Sequence, residues 1–467
     1  MVDIGWFHEI KLYTFSVFPI SRKTSLFPHL FRHCETIFRD YLLLSDKSKP
    51  KGTKSPSVFY IVLGYQNYNY MVQSNSFSGK PIISQILNFI PRHLVYRTAG
   101  RHQADKYVKR FKTYDHLMTM LYAVLSDCSS LRELSTAMLA CQGKLNHLGI
   151  DYFPKRSTLS DANTRRNSQV FEDIYYALLS RYGKFLSDSC PDKAIAEKLF
   201  IMDSTTITLF NDVLKGTSKA VNGKKKGGLK IHTLIKSSED VPCLINLTAA
   251  ARNDVDFLPH IKLAAGSWLL FDRGYRDYGF FSDLTNKKIF FITRKHANAV
   301  HQFIGSWAEP VSANDQLKKD WHVHINHKGT RLCLRQIEWF DPQQNKTVVF
   351  LTNNFELPAD TIAGLYKKRW QIELLFKRLK QSFCIKYFLG DSVNAIKTQV
   401  WVCLIAHLIL KVIQLAARRR WSFSNLAALV KYHLMSYIRL FDFLKNPMAS
   451  FESLSTNPTL QPQLFPT

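Results

Sequence analysis

Leu199-Phe-Ile-Met-Asp-Ser-Thr-Thr-Ile-Thr-Leu-Phe210 is the stretch on which the reading turns. β-Branched and aromatic residues dominate it, which is the composition of a buried strand. Asp203 stands in its middle. An unpaired carboxylate in an apolar interior costs several kcal/mol, so this acid needs a partner or a metal ion. A structural carboxylate bonded to nearby backbone is the competing reading.

Downstream, a basic, glycine-rich hairpin (Asn222–Gly228) leads into strands at Leu229–Ile235 and Val241–Leu247. Asp254–Leu263 reads as a helix capped by Asn253. Trp268–Phe271 is a short buried strand that ends on Asp272, followed by a helix at Tyr278–Asn286 and a strand at Ile289–Thr293. Three strands, helix, strand, helix, strand is the order of a ribonuclease-H-like core. In such a sheet the middle of the first strand lies beside the end of the fourth. Asp203 and Asp272 are then expected to meet although 69 residues separate them. An ordinary turn at a strand end is the other reading of Asp272.

Around this core the chain divides by texture. The fold class expected is mixed α+β or α/β: a ribonuclease-H-like catalytic core with an all-β insertion, preceded by a helical DNA-binding domain. The first part of the core spans 198–296. The β-rich insertion spans 297–354, with strands at Arg331–Trp339 and Thr347–Leu351. Residues 355–420 complete the core with long helices at Ala359–Phe383 and Ala395–Arg418, and 421–467 hold C-terminal helices and a tail, Ser-, Pro-, Thr- and Gln-rich after Pro447, whose composition reads as disordered. Upstream, 71–190 is helical in pattern. Its segments are Ser84–Ile90 closed by Pro91, Asp115–Leu125, Ser130–Ala140, a start near Ser157 or Thr158 as cap, and Phe171–Tyr182. Asn163, Arg165 and Arg166 fall on the polar face of the segment after Pro154, where they could meet DNA; a plain solvated helix is the alternative. Residues 1–70 lack alanine and any periodic apolar face, and Ser45–Pro56 has a linker's composition. They are expected to be a poorly structured or spurious extension, with translation beginning at Met71.

Charge narrows the class of partner. The 467 residues carry 63 Lys and Arg against 36 Asp and Glu, a formal net charge of +27. That excess points to a polyanion, nucleic acid first. A membrane is the rival, but the most apolar run, Trp401–Ala417, is interrupted by His407, Lys411 and Gln414 and reads as a packed amphipathic helix. The eight cysteines are Cys34, Cys128, Cys141, Cys190, Cys243, Cys333, Cys384 and Cys403, none of them in a CxxC pair. They read as reduced core thiols of a cytosolic protein, with neither a disulfide framework nor a zinc site expected. No secretory signal is evident at the start of the chain.

A third acid lies in Tyr366-Lys-Lys-Arg-Trp-Gln-Ile-Glu-Leu-Leu-Phe-Lys-Arg-Leu-Lys380. On a helix, Tyr366, Arg369, Glu373 and Lys380 share one face, so Glu373 stands among three groups able to touch phosphate. A solvated face with i,i+4 charge pairs is the bland alternative, opposed by the apolar neighbours Ile372, Leu374, Leu375 and Phe376. Three carboxylates suit phosphodiester chemistry. Two Mg²⁺ ions about 3.5–4 Å apart can stabilise the attacking and leaving oxygens of an in-line displacement, and Mg²⁺ takes hard oxygen ligands. Asp203, Asp272 and Glu373 are therefore expected to act as both catalytic acids and metal ligands, with Mn²⁺ as a substitute. His or Cys ligands would indicate zinc, and the sequence offers no such cluster.

At these residues the chain resembles the bacterial insertion-sequence transposases with an acidic DDE triad, in the IS-four group. The group's motif is Tyr, two residues, Arg, three residues, Glu, six residues, Lys, and Tyr366, Arg369, Glu373 and Lys380 match every position. Asp203-Ser-Thr-Thr looks like the first-Asp box, Asp272-Arg273-Gly-Tyr275 like the second, and Thr293-Arg294 also fits. The resemblance runs from about residue 75 to 420. It implies cut-and-paste transposition: binding of terminal inverted repeats, cleavage through a hairpin, and joining of 3′ ends to target DNA by a homodimer in the bacterial cytoplasm, on the nucleoid. It also implies DNA contacts by Tyr366, Arg369, Lys380, Arg273 and Arg294, and a Trp from the β insertion, Trp307 or Trp339, that holds a flipped base. A transposase-derived DNA-binding protein without catalysis, or a metal nuclease that cuts without joining, are the alternatives.

Overall fold

In the computed structural model the described residues are 79–448, apart from 142, 151, 153, 190–195, 210–226, 297, 309–315, 328–329, 384 and 386. The extension 1–70, the tail after Met448 and most of the basic hairpin at Asn222–Gly228 lie outside them.

A nine-stranded sheet organises the rest. Its strands are β1 (Leu199–Thr208), β2 (Gly228–Lys236), β3 (Val241–Ala249), β4 (Trp268–Leu270), β5 (Phe290–Arg294), β6 (Gln302–Ala308), β7 (Leu317–His327), β8 (Thr330–Asp341) and β9 (Lys346–Thr352), in the order β3-β2-β1-β4-β5-β9-β8-β7-β6. β1, β4 and β5 run parallel; β2 and β3 continue antiparallel on one side. β9 pairs antiparallel with β5, so the segment read as an insertion prolongs the same sheet. The helix expected at Asp254–Leu263 is a 3-10 segment, Asp254–His260, held short by Pro259. Its predicted cap holds: the Asn253 side chain accepts from the Val255 N–H.

Alternation along β1 sets which side chains meet which layer. Met202 joins Leu234, Phe257, Leu269, Phe271, Phe281 and Phe291 in a core under one face. There the Phe281 ring lies 5.6 Å from Phe271 and 4.7 Å from Phe291, centroid to centroid. Asp203, one residue on, points to the opposite face.

Helices cover the sheet. In chain order they are α1 (Ile82–Leu87), α2 (Arg92–Arg101), α3 (Thr113–Leu125), α4 (Leu131–Ala140), α5 (Arg156–Arg165), α6 (Gln169–Asp188), α7 (Tyr278–Asn286), α8 (Ala359–Lys367), α9 (Trp370–Ser382), α10 (Val393–Ala416), α11 (Phe423–His433) and α12 (Leu440–Lys445). The single helix expected over Ala359–Phe383 is two, because Arg369 and Lys368 donate to carbonyls three residues back and tighten the joint. α5 begins at Arg156 after Lys155, without the side-chain cap expected from Ser157 or Thr158.

α10 passes the length and hydropathy test for a membrane span, yet it is a core helix here. It is buried on nearly every side rather than amphipathic: Trp401, His407 and Thr398 are as covered as Val402 and Ile405. Tyr175 and Tyr176 of α6 pack on Trp401 at 5.7 and 5.8 Å. The amino-terminal helices thus share a core with α10, and the described residues belong to one compact unit.

Candidate active site

Asp203, Asp272 and Glu373 arrive from three elements. β1 and β4 pair in parallel with Ile201 opposite Leu270; Asp203 lies two residues further along β1, and Asp272 two residues past the end of β4. The parallel pairing brings the two acids near each other, and the charge of Asp272 reaches the Asp203 carboxyl. Glu373 comes from the first turn of α9, which packs on β1 and offers the positive end of its dipole to an acid there.

Arg369, at the α8–α9 joint, ties Asp203 to Glu373. One terminal nitrogen donates to Asp203 Oδ2 at 3.2 Å and the other to Glu373 Oε1. Its side chain is only 12% exposed, so this pair of charge-assisted bonds is shielded from water. Burial pushes the Asp203 carboxyl up to about 6, and the charges of Asp272 and Glu373 add to the rise; the Ser204 N–H and Arg369 oppose it. Asp203 thus senses the charges of both other acids, a repulsion that a divalent cation would relieve.

The other motif residues surround this cluster. Tyr366 is 8% exposed and lies under the Arg369 guanidinium, against Phe350. Lys380 reaches back over β1, with Nζ 3.5 Å from the Thr206 carbonyl. Arg273 is exposed just past Asp272, and Arg294 ends β5; together with Arg276 and His296 they line a narrow recess.

Two expected DNA contacts are placed elsewhere. Asn163 is 1% exposed; its Oδ1 pairs with His116 Nε2 at 2.7 Å and its Nδ2 donates to the Leu389 carbonyl. Arg166 is also buried and donates to the Phe111 carbonyl at 2.9 Å. Both face inward because α5 packs on α10, whose Asn394 binds the carbonyls of Asn163 and Arg166. Arg165 does face solvent, 80% exposed beside Asp161.

The sequence reading missed a support on the far face of β1. Ser204 Oγ donates to Asp254 Oδ1 at 2.7 Å, and Lys230 Nζ lies 3.3 Å from the same oxygen. This network holds the middle of β1, next to Asp203. Asp254 was legible only as the residue after a helix cap, a role that concealed its reach across the sheet. Arg276, four residues after Asp272, was likewise passed over.

A carboxylate cluster framed by cations, on a large mixed α/β sheet, defines a class of enzyme that works on phosphate esters. Comparison with known families gives the particular one. Residues 195–409 match the family described as "Transposase DDE domain", and 78–151 match "Domain of unknown function (DUF4372)". The chain is 32% identical over 264 residues to a Sinorhizobium fredii protein named "Putative transposase y4zB", covering 56% of this chain and 71% of that one. It is 48% identical over 281 residues to a Synechocystis protein named "Putative transposase for insertion sequence element IS4SA", covering 55% and 71%. The chain belongs to the DDE transposases of bacterial insertion sequences.

Proposed function

We propose that Asp203, Asp272 and Glu373 are the catalytic acids of this transposase, set in a ribonuclease-H-like core formed by β1–β5. The observation that carries this is the convergence of Asp203 and Glu373 on Arg369, with Asp203 buried and close enough to Asp272 for that charge to help push it up to about 6. Transposases with this domain generally use divalent metal ions, and the donor set fits: carboxylate oxygens, the hard ligands that Mg²⁺ and Mn²⁺ take. When bound, a pair of Mg²⁺ ions would stabilise the attacking and leaving oxygens of the phosphodiester.

The chain's own residues then divide the remaining work. Arg369 orients Asp203 and Glu373 while keeping their charge compensated. Lys380 over β1, and Arg273, Arg276 and Arg294 along the recess past Asp272, would seat the phosphates of an element end. Tyr366, largely buried, positions Arg369 through its ring more than it touches DNA. Arg165 alone remains of the three α5 residues offered to DNA. Of the two tryptophans, Trp307 is the better placed to hold a flipped base: it is 48% exposed, 5.1 Å from the Phe355 ring. The substrates would be terminal inverted repeats and target DNA, cut through a hairpin and joined by a homodimer at the bacterial nucleoid.

The test supplies purified full-length protein with pre-cut element ends, target plasmid and Mg²⁺. Joined product is the expected result. Cutting of uncut ends without joining would make it a nuclease, and binding alone would make it a DNA-binding derivative; either outcome overturns the proposal.

A further inference from the structure

The β7–β8 hairpin brings together side chains of a different chemistry from the carboxylate cluster. His322 and His324 alternate onto one face of β7, and Cys333 of β8 stands directly across from His324. Cys333 Sγ lies 3.0 Å from His324 Nε2, and the two imidazoles meet edge to face at 5.5 Å. One donor atom from each of the three residues lies within 4.8 Å of the other two. No sequence spacing announces this set, because nine residues separate His324 from Cys333 and only the hairpin register closes the gap.

The environment suits a soft cation. Among the described residues, His322 Nε2 and His324 Nδ1 are covered ring nitrogens that find no hydrogen-bond partner. The nearest buried cation is already spent: Arg335, across from His322, donates to both Asp320 oxygens at 2.8 and 2.6 Å and to the Leu357 carbonyl. Phe355 packs on the His322 ring at 5.2 Å and walls one side from water.

We propose that His322, His324 and Cys333 form a zinc-binding site on the β7–β8 hairpin, distinct from the carboxylate cluster. Two imidazoles and a thiolate are ligands that Zn²⁺ accepts and Mg²⁺ does not. Binding replaces the Cys333 S–H bond with a sulfur–zinc bond and releases the proton to solvent. Three protein ligands leave the fourth tetrahedral position to water, which the exposed thiol's side of the site admits. The ion would clamp β7 to β8 in the part of the sheet that also carries Trp307.

Cobalt(II) reports such a site directly, since sulfur ligation gives a charge-transfer band in the near ultraviolet that carboxylates cannot. Full-length protein titrated with Co²⁺ should develop this band to one equivalent per chain and lose it on addition of Zn²⁺. Cys333→Ser, a surface change that leaves the fold intact, should abolish the band. His324→Ala should weaken Co²⁺ binding at least tenfold. Glu373→Gln should leave the band unchanged. Absence of the band in the reduced wild-type protein, or its survival in Cys333→Ser, would overturn the proposal.

Discussion

The middle of β1 and the polar face of α5 look alike in sequence, each setting polar groups among apolar ones, yet they end in opposite places. Asp203 is set near other acids and an arginine it shares with Glu373. Asn163 and Arg166 are drawn inward, where they bond to His116, Leu389 and Phe111. The difference lies in what each group can find. A carboxylate on a strand whose backbone is already paired has few local donors, so it collects distant charges. An amide or guanidinium on a helix that packs against another helix finds carbonyls at that helix's ends, and becomes mortar.

The largest expected effect tests the first half of that contrast. Asp272→Asn or Glu373→Gln keeps size and shape but removes a ligand charge, so single-turnover cleavage of labelled element ends should fall by several orders of magnitude. DNA affinity in a gel shift should stay within about twofold, because Lys and Arg contacts to phosphate supply most of it. An amide variant that cleaves near the wild-type rate would remove that residue from the cluster.

The second half predicts a stability effect without a DNA effect. Asn163→Ala strands buried groups on His116 and Leu389, so urea denaturation should show a loss of about 2–4 kcal/mol. Element-end affinity of the folded fraction should not change. A variant of normal stability with weakened, less salt-dependent binding would put Asn163 back at the DNA.

Acidity gives a smaller, signed effect. Asp203 has a folded value of about 6, above its ordinary carboxylate value, so the folded chain holds this proton more tightly than the unfolded chain. Its contribution to stability is therefore fully present below the ordinary carboxylate range and is lost as pH rises through 6. Asp203→Asn should gain on the wild type over that window in metal-free buffer, by on the order of 2–3 kcal/mol. Divalent-metal affinity should move the other way, falling as pH drops below about 6, because the protonated acid cannot ligate. Parallel stability curves for the two proteins across this range would contradict the assignment.

Arg165→Ala is the mildest change. Its ion pair with Asp161 is exposed, so stability should shift by no more than about 0.5 kcal/mol. If Arg165 touches an element end, the salt slope of binding should drop by about one. An unchanged slope would leave α5 without a DNA contact.

These contrasts also mark what the sequence could say. The acids were legible because a charge in an apolar strand or at a strand end has few explanations, and because the Tyr366-to-Lys380 spacing is specific. The parallel placement of β1 beside β4 followed from element order. Periodicity could not separate a polar helix face that meets solvent from one that meets another helix's end, so Asn163 and Arg166 were misplaced. It also could not foresee contacts made by strand register: Asp254 with Ser204, or Cys333 with His324. The β-rich segment was recognised as strands, but its union with β5 through β9 depends on a long-range pairing that no local signal encodes.

Whether the three acids hold metal together can be measured without any DNA chemistry. Manganese bound to full-length protein, counted by electron paramagnetic resonance at pH 7.5 and again at pH 5, is the direct test. The account predicts binding by the wild type that fades at the lower pH and is lost in Asp203→Asn, Asp272→Asn and Glu373→Gln alike, while Cys333→Ser binds as the wild type does. Manganese binding that survives each amide substitution would contradict it.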